Sequence, residues 1–390
     1  STVPVSLTWE KSTTYDLGLD LDFLNNRLSV SGDYYRRYTT DMYTASVALP
    51  AVYGTGSPKG NNAEMKTDGW ELSLSWRDSF KLGGKPFDYS IKAMVWDSKS
   101  VITKYVNDTG SLGTVKGFIE NGGSPSSYYV GMTVGEIWGY TVAGLFRDQA
   151  DIDSSAIHDF VQASDKVTRP GQVKIADLDG NGFIDPGNFA VDDHGDLRII
   201  GNQSPRYRYG VNLSARWNGI GLSVFLQGVG ARDWYPGSDA GMFWGKYGRP
   251  FFALIPSIHN YTDDMYSAER NNWDTAYWPR MTTYQSNGTK NWTRLLEIPN
   301  TRYIQSAAYL RVKNIQLDYS FPKHICSAIR LQGLKIYVNA ENLFTFTPLH
   351  KYAPNFDPEG LSYDSDFASA ADGYTYPILK SVTVGVNITF

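Results

Sequence analysis

Ser381-Val382-Thr383-Val384-Gly385-Val386-Asn387-Ile388-Thr389-Phe390 closes the 390-residue chain, and this stretch decides how the rest is read. Successive side chains of an extended strand point to opposite faces. One face here collects Val382, Val384, Val386, Ile388 and Phe390, and the other Ser381, Thr383, Gly385, Asn387 and Thr389. A strand with hydrocarbon on one side and water on the other needs that division. A strand of a soluble sandwich shows it too. Strand length and the pattern of connections must therefore separate the two.

Eight more runs upstream repeat the alternation. They are centred on Tyr15–Phe23, Leu28–Tyr34, Trp70–Trp76, Phe87–Val95, Tyr207–Trp217, Ile220–Leu226, Ile315–Phe321 and Leu334–Ala340, with a phase slip near Val312 that predicts a bulge. Several reach the roughly 9–11 residues that a tilted membrane strand needs, against about 5–6 in sandwiches. The connections divide in two. Asn25-Asn26, 78–86, Asn218-Gly219 and 322–333 are short, whereas 40–66, 97–204, 228–305 and 345–378 are long, and the two kinds strictly alternate. Outer-membrane barrels have short periplasmic turns and long outer loops. The segment Tyr140–Phe146 is strand-like, but a tenth crossing there would break the parity, so 97–204 is expected outside the membrane with small hairpins of its own. The predicted fold is all-β: about nine antiparallel strands forming part of a large transmembrane β-barrel. Nine strands would leave open edges in lipid, each unpaired amide costing several kcal/mol, roughly, so the first strand is expected to pair with sequence outside this chain.

Composition agrees. No run of about 18 apolar residues is present, which excludes a helical span and leaves a strand-built one open. Aromatic residues make up 14% of the chain, with 27 Tyr and 11 Trp, and Trp70, Trp76, Trp217 and Phe390 stand at strand ends as interface girdles do. A formal net charge of −4 leaves no nucleic-acid footprint. The single cysteine, Cys326, excludes an internal disulfide and reads as a small apolar residue.

With the strands placed, the wording of the segments becomes informative. Leu7 to Tyr43, "LTWEKSTTYDLGLDLDFLNNRLSVSGDYYRRYTTDMY", resembles the SusC/RagA family of TonB-dependent outer-membrane transporters. "KTDGWELSLSWR", "GEIWGYTVAGLF", "DLDGNGFID", "IIGNQSPRYRYGVNLSARWNGIGLSVFLQGVG", "YLRVKNIQLDYSFP" and "LKIYVNAENLFTFT" follow in matching order, so residues 1–390 resemble the C-terminal portion of that barrel. The resemblance implies a 22-stranded barrel with long extracellular loops and an N-terminal plug, in the bacterial outer membrane. It also implies uptake of an oligosaccharide or peptide, a SusD-like surface lipoprotein as partner, and energy from the TonB complex. The plug and the TonB-contacting part have no counterpart in this chain. The alternatives are a passive porin or structural barrel, and a soluble calcium-dependent carbohydrate-binding β-protein.

Two loop regions carry candidate sites. Within 97–204, Asp177-Leu178-Asp179-Gly180-Asn181-Gly182-Phe183-Ile184-Asp185 places oxygen ligands as a calcium loop does. Asp177, Asp179 and Asn181 take positions 1, 3 and 5, the Phe183 carbonyl position 7 and Asp185 position 9. Position 12 is Asn188 in place of the bidentate Glu, so the set stays one ligand short unless Asp192 or Asp193 completes it. The other reading is an Asx-rich turn without metal. Within 231–305, Trp244, Trp273, Trp278 and Trp292 are candidates for stacking on a sugar ring or peptide; the alternative is that these aromatics pack the loop on itself. Catalysis finds little support, and no organic cofactor is expected. The five histidines have no zinc spacing and no nucleophile elbow occurs. Asp20, Asp22, Asp33 and Glu71 read as the lining of a water-filled lumen.

Overall fold

The computed structural model describes residues 7–45, 59–106, 110–112, 128–158, 168–236, 243, 264–280, 299–361 and 378–390. The chain begins with four long strands, β1 (Lys11–Phe23), β2 (Leu28–Ala45), β3 (Lys59–Leu82) and β4 (Lys85–Lys104). Short strands β5 (Glu136–Tyr140), β6 (Val142–Leu145), β7 (Val173–Ile175) and β8 (Leu197–Asn202) follow, with the one-turn helix α1 (Gln149–Asp153) among them. Then come β9 (Arg206–Trp217), β10 (Ile220–Ala231), the two-residue strands β11 (Asp233–Trp234) and β12 (Gln305–Ser306), and β13 (Tyr309–Ser320). Helix α2 (Lys323–Ala328), β14 (Gly333–Phe346) and β15 (Ser381–Thr389) complete the order.

Nine of these strands form one antiparallel sheet in the order β1-β2-β3-β4-β9-β10-β13-β14-β15, as the alternation predicts. Residues directly opposite in an antiparallel pair share a face. One transverse row runs Phe23, Leu28, Trp76, Ile91, Leu213, Val224, Ile315, Ala340 and Val382, apolar on all nine strands. The next row on the other face runs Asp22, Ser29, Ser75, Lys92, Asn212, Phe225, Asn314, Glu341 and Ser381, polar except at Phe225. The apolar face lies open: Leu17 is 76% exposed and Val384 73%. An apolar surface that spans a whole sheet does not persist against water; it suits hydrocarbon.

Tight turns join the strands at one end. Gly83 and Gly84 lie at φ 59° and 77°, and Asn218 and Gly219 at 50° and 86°, the paired positive values that a two-residue hairpin of right-handed twist requires. The expected phase slip is present: Lys313 is skipped between Val312 and Asn314 in the pairing with both β10 and β14. On the polar face the rings of Tyr35 and Tyr337 lie over the glycines opposite them, Gly69 and Gly385, covering backbone that has no side chain of its own.

The strand ends differ from expectation at the other end. β2, β3 and β4 run to 18, 24 and 20 residues, so the first two long connections shrink to 46–58 and 105–205 in place of 40–66 and 97–204. The third and fourth become 232–308 and 347–380. Beyond the hydrocarbon a ladder continues in water, where nothing demands an apolar face, so the alternation that marks a membrane strand stops before the strand does. Tyr140–Phe146 contributes β5 and β6 to two small two-stranded sheets, β5-β8 and β6-β7, and adds no tenth strand to the large one.

Candidate functional site

The three longest connections fold against one another and build a core that the wall does not share. Tyr140, Leu145, Val173, Ile175, Ile184 and Leu197 from 105–205 meet Trp234, Phe243, Trp278 and Tyr303 from 232–308, and Leu349 and Phe356 from 347–380. Backbone hydrogen bonds tie the first two: Tyr140 N–H donates to the Pro299 carbonyl (2.9 Å) and Thr301 N–H to the Tyr140 carbonyl (3.0 Å). Ring stacking ties the second to the third, Tyr277 lying 3.6 Å from Tyr352 with planes 4° apart. A loop assembly with its own buried core holds its surface in one shape, which is what ligand or partner recognition asks of a loop.

The assembly is fastened to the wall by ions. Arg311 of β13, opposite Gln227 on the polar face, is 3% exposed. Its guanidinium donates to Asp357 Oδ1 (2.6 Å), to Glu359 and to Thr345 Oγ1 (2.9 Å). Lys313 adds a second cation on Glu359 (2.8 Å) and Tyr309 Oη a hydrogen bond (3.2 Å). Two carboxylates against two cations, all desolvated together, hold residues 357–359 on the inside of the sheet. Arg206 at the start of β9 clasps buried Asp97 of β4 through two N–H groups, with Nε 2.6 Å from Oδ1.

The calcium-like segment keeps part of its predicted geometry. Asp177 accepts from Gly180 N–H (2.6 Å) and Gly182 N–H (2.9 Å), which holds its carboxyl below the usual range. Position 8, Ile184, is buried and anchors the loop in the core. Asp177 and Asp179 bring carboxylate oxygens within 4.8 Å of one another and of a third, Asp196. Asp196 is fully buried and accepts from Leu178 N–H (2.6 Å) and Asp185 N–H (3.1 Å), and burial pushes its carboxyl up. Asn181 Nδ2 donates to Asp185 Oδ2 (3.0 Å) and Phe183 N–H to Asn181 Oδ1 (2.7 Å), so these two polar groups face each other. The residue that joins the cluster is Asp196, in place of Asp192 or Asp193, and Asp193 bonds Asn188 instead. No local spacing marks Asp196, because it arrives from the far side of the loop at the start of β8. Three hard oxygen donors suit a hard cation such as calcium.

The four tryptophans divide. Trp278 is 1% exposed, stacked on Tyr303 at 5.6 Å with Phe243 5.2 Å away, so it packs the loop core and offers no face to a ligand, contrary to expectation. Trp273 is half-buried against the same core. Trp244 and Trp292 lie outside the described residues.

Comparison with known proteins gives this geometry its relatives. Residues 2–192 match the family model for the TonB dependent receptor-like β-barrel. The chain is 26% identical to TonB-dependent receptor P3 of Formosa agariphila, across 99% of this chain and 34% of that protein. It is 24% identical to TonB-dependent receptor SusC of Bacteroides thetaiotaomicron, across 99% of this chain and 32% of that one. Its fold is similar to that in a structure of the RagAB peptide transporter, with a TM-score of 0.62 and 20% identity over 98% of this chain and 36% of the other. The chain thus spans about a third of the length of the curated relatives it matches. The nine-stranded sheet, apolar on one face and polar on the other, with its long loops gathered at one end, fits part of a TonB-dependent receptor β-barrel, and the chain is similar in sequence to receptors of the SusC-like type.

Proposed function

We propose that this chain forms the C-terminal part of an outer-membrane transporter that imports an oligosaccharide or peptide, with energy from the TonB complex and a SusD-like lipoprotein at the cell surface. The carrying observation is the unbroken apolar row across nine strands with a polar row beside it. A wall of that kind separates lipid from a water-filled lumen. The ordered loop assembly supports a recognition role at the outer mouth, and of the two candidate tryptophans that lie among the described residues, Trp273 is the half-buried one and Trp278 the buried one. The test uses the full-length protein in its native membrane. Deleting its gene should abolish growth on the cognate oligosaccharide or peptide, and depleting TonB should do the same with the barrel intact. Uptake that survives loss of TonB would point instead to a passive porin.

The cluster of Asp177, Asp179 and Asp196 supports calcium as an ordering ion for the loop assembly, with Asn181, the Phe183 carbonyl and Asp185 turning toward it on binding. Calcium titration of the full-length transporter should protect the amides of 177–185 from exchange, and Asp177→Asn should remove that protection. Exchange that is identical with calcium and with chelator would discard the ion.

A further inference from the structure

Several wall glycines lie under a neighbouring tyrosine ring, Gly228 beneath Tyr209 on the apolar face among them, and Gly32 does not. On the polar face Gly69 and Gly385 lie under tyrosine rings, so that an added Cβ would meet ring atoms at 2.2–2.3 Å. On the apolar face Gly32 is bare, and a Cβ there would meet nothing nearer than 3.9 Å. Leu19 and Leu72 stand opposite Gly32 on the two neighbouring strands. One row further toward the loops, Leu17, Tyr34 and Trp70 stand side by side. These residues enclose an apolar dent with Gly32 as part of its floor. Elsewhere on this face a side chain fills such a position; here a slot about one chain wide stays open.

Directly above the dent, toward the long loops, the same face becomes charged. Arg36 stands opposite Asp68, and Asp68 opposite Lys99. Asp68 Oδ1 accepts from Arg36 Nε (2.5 Å) and from Tyr34 Oη (3.1 Å), and Lys66 Nζ lies 3.1 Å from Asp68 Oδ2. Two cations thus flank one carboxylate, with exposed Lys99 in register on the next strand, and the bonds of Asp68 fix the Arg36 and Lys66 heads in place without neutralising both. Arg36 keeps 42% of its side-chain surface and Lys66 31%. Gly32 and Arg36 are four residues apart on one strand, roughly 13 Å at the usual rise. A single amphiphile can span that length with its head on the cations and its tail in the slot.

We propose that this surface holds one phosphorylated glycolipid of the outer leaflet, its phosphate on Arg36, Lys66 and Lys99 and an acyl chain laid across Gly32. The assignment rests on the outer-membrane reading above. Net positive charge asks for an anion, and the ordered apolar slot beneath asks for a chain attached to it. The position at the long-loop end selects the outer-leaflet lipid over the phospholipids of the turn end. Arg geometry favours phosphate, with its several acceptor oxygens.

The experiment uses the full-length transporter, delipidated in detergent, with lipid A or phosphatidylglycerol added and bound lipid counted by native mass spectrometry. Lipid A should be retained and phosphatidylglycerol should not. The double substitution Arg36→Ala/Lys66→Ala should weaken lipid A binding about tenfold or more. Gly32→Leu, which fills the slot and leaves the cations alone, should weaken it too, and its test stands even where the double variant fails to assemble. Equal retention of both lipids, or lipid A binding unmoved by Gly32→Leu, would overturn the proposal. Fractionation of the same cells separates this from the wider reading: a transporter found in the outer membrane with no site-dependent lipid sinks only the lipid site, whereas one absent from that membrane sinks both.

Discussion

At the scale of single residues, two positions have consequences that can be measured. Gly69 lies beneath Tyr35, and a methyl group there would sit 2.2 Å from ring carbon. The ring must leave its place over the strand, so Gly69→Ala should destabilise the wall by about 1–3 kcal/mol, the usual range for overpacking. Adding Tyr35→Ala should recover part of that loss, because the clash disappears with the ring. Urea midpoints of the four-membered mutant cycle, refolded into vesicles, check both statements. His158 is the second position. Its Nε2 accepts from Ile175 N–H (3.0 Å), which leaves Nδ1 to donate to the Ala156 carbonyl (2.7 Å), so this bonding pattern belongs to the neutral ring. Burial, foremost, lowers its pKa from the ordinary 6.5. A folded pKa below the unfolded one means that the unfolded state binds the proton first. The contribution of His158 to loop stability is therefore complete above pH 6.5 and is lost as pH falls through the lowered folded value. Exchange of the Ile175 amide should accelerate below that pH in the native protein and become pH-flat, apart from intrinsic chemistry, in His158→Gln.

At the scale of elements, the wall and the loops differ in how much the sequence discloses. Each wall strand meets lipid on one side and water on the other, so its alternation is imposed locally and can be read from ten residues such as 381–390. The extensions of β2, β3 and β4 past the apolar zone face water on both sides and leave no such trace, which is why β3 reaches Lys59 well before its alternation begins at Trp70. In the loop assembly the partners are far apart in the chain. Trp278 looks like a ligand platform when its neighbours in sequence are considered alone, and it becomes core once Tyr303 and Phe243 are placed around it. Asp196 is silent for the same reason: it meets Asp177 and Asp179 only through the fold of the whole loop. The Arg311 cluster adds a test of the coupling between loop and wall. Arg311→Ala takes the buried guanidinium from Asp357 and leaves Glu359 with Lys313 alone, and breaking a buried pair from one side costs up to about 3–5 kcal/mol. The loss should fall on the segment 347–361 and spare the ladder. Limited proteolysis should then cut within that segment while the barrel keeps its heat-resistant mobility; unchanged protection would mean that the aromatic contacts, Tyr277 on Tyr352 above all, hold the loop without the ions.

At the scale of the whole molecule, the two faces of the sheet make opposite demands on the same substitution. β15 is the clearest place to ask, because its alternate residues are separated by a single position and nothing else about them differs. Val384 stands opposite Val338 on the apolar face, and Thr383 stands opposite Asn339 on the polar one. An arginine at Val384 must carry its charge into hydrocarbon, which costs about 2–4 kcal/mol near the bilayer midplane of a barrel and much less toward its edges. An arginine at Thr383 enters a lumen already lined by Lys92, Asn212 and Glu341, where water solvates it and Glu341 lies one row away. In the full-length protein Val384→Arg should therefore lower the folding free energy in lipid vesicles by that amount, while Thr383→Arg should leave it nearly unchanged. In a soluble sandwich a buried face would punish one site equally in detergent, vesicles and water. In a barrel the penalty at Val384 should shrink in short-chain lipid, where a thinner bilayer lets the side chain reach the interface. Dependence of the Val384→Arg penalty on lipid chain length is thus the signature that separates a lipid-facing wall from a merely apolar one, and a penalty independent of the lipid would turn the sheet's apolar face back toward protein.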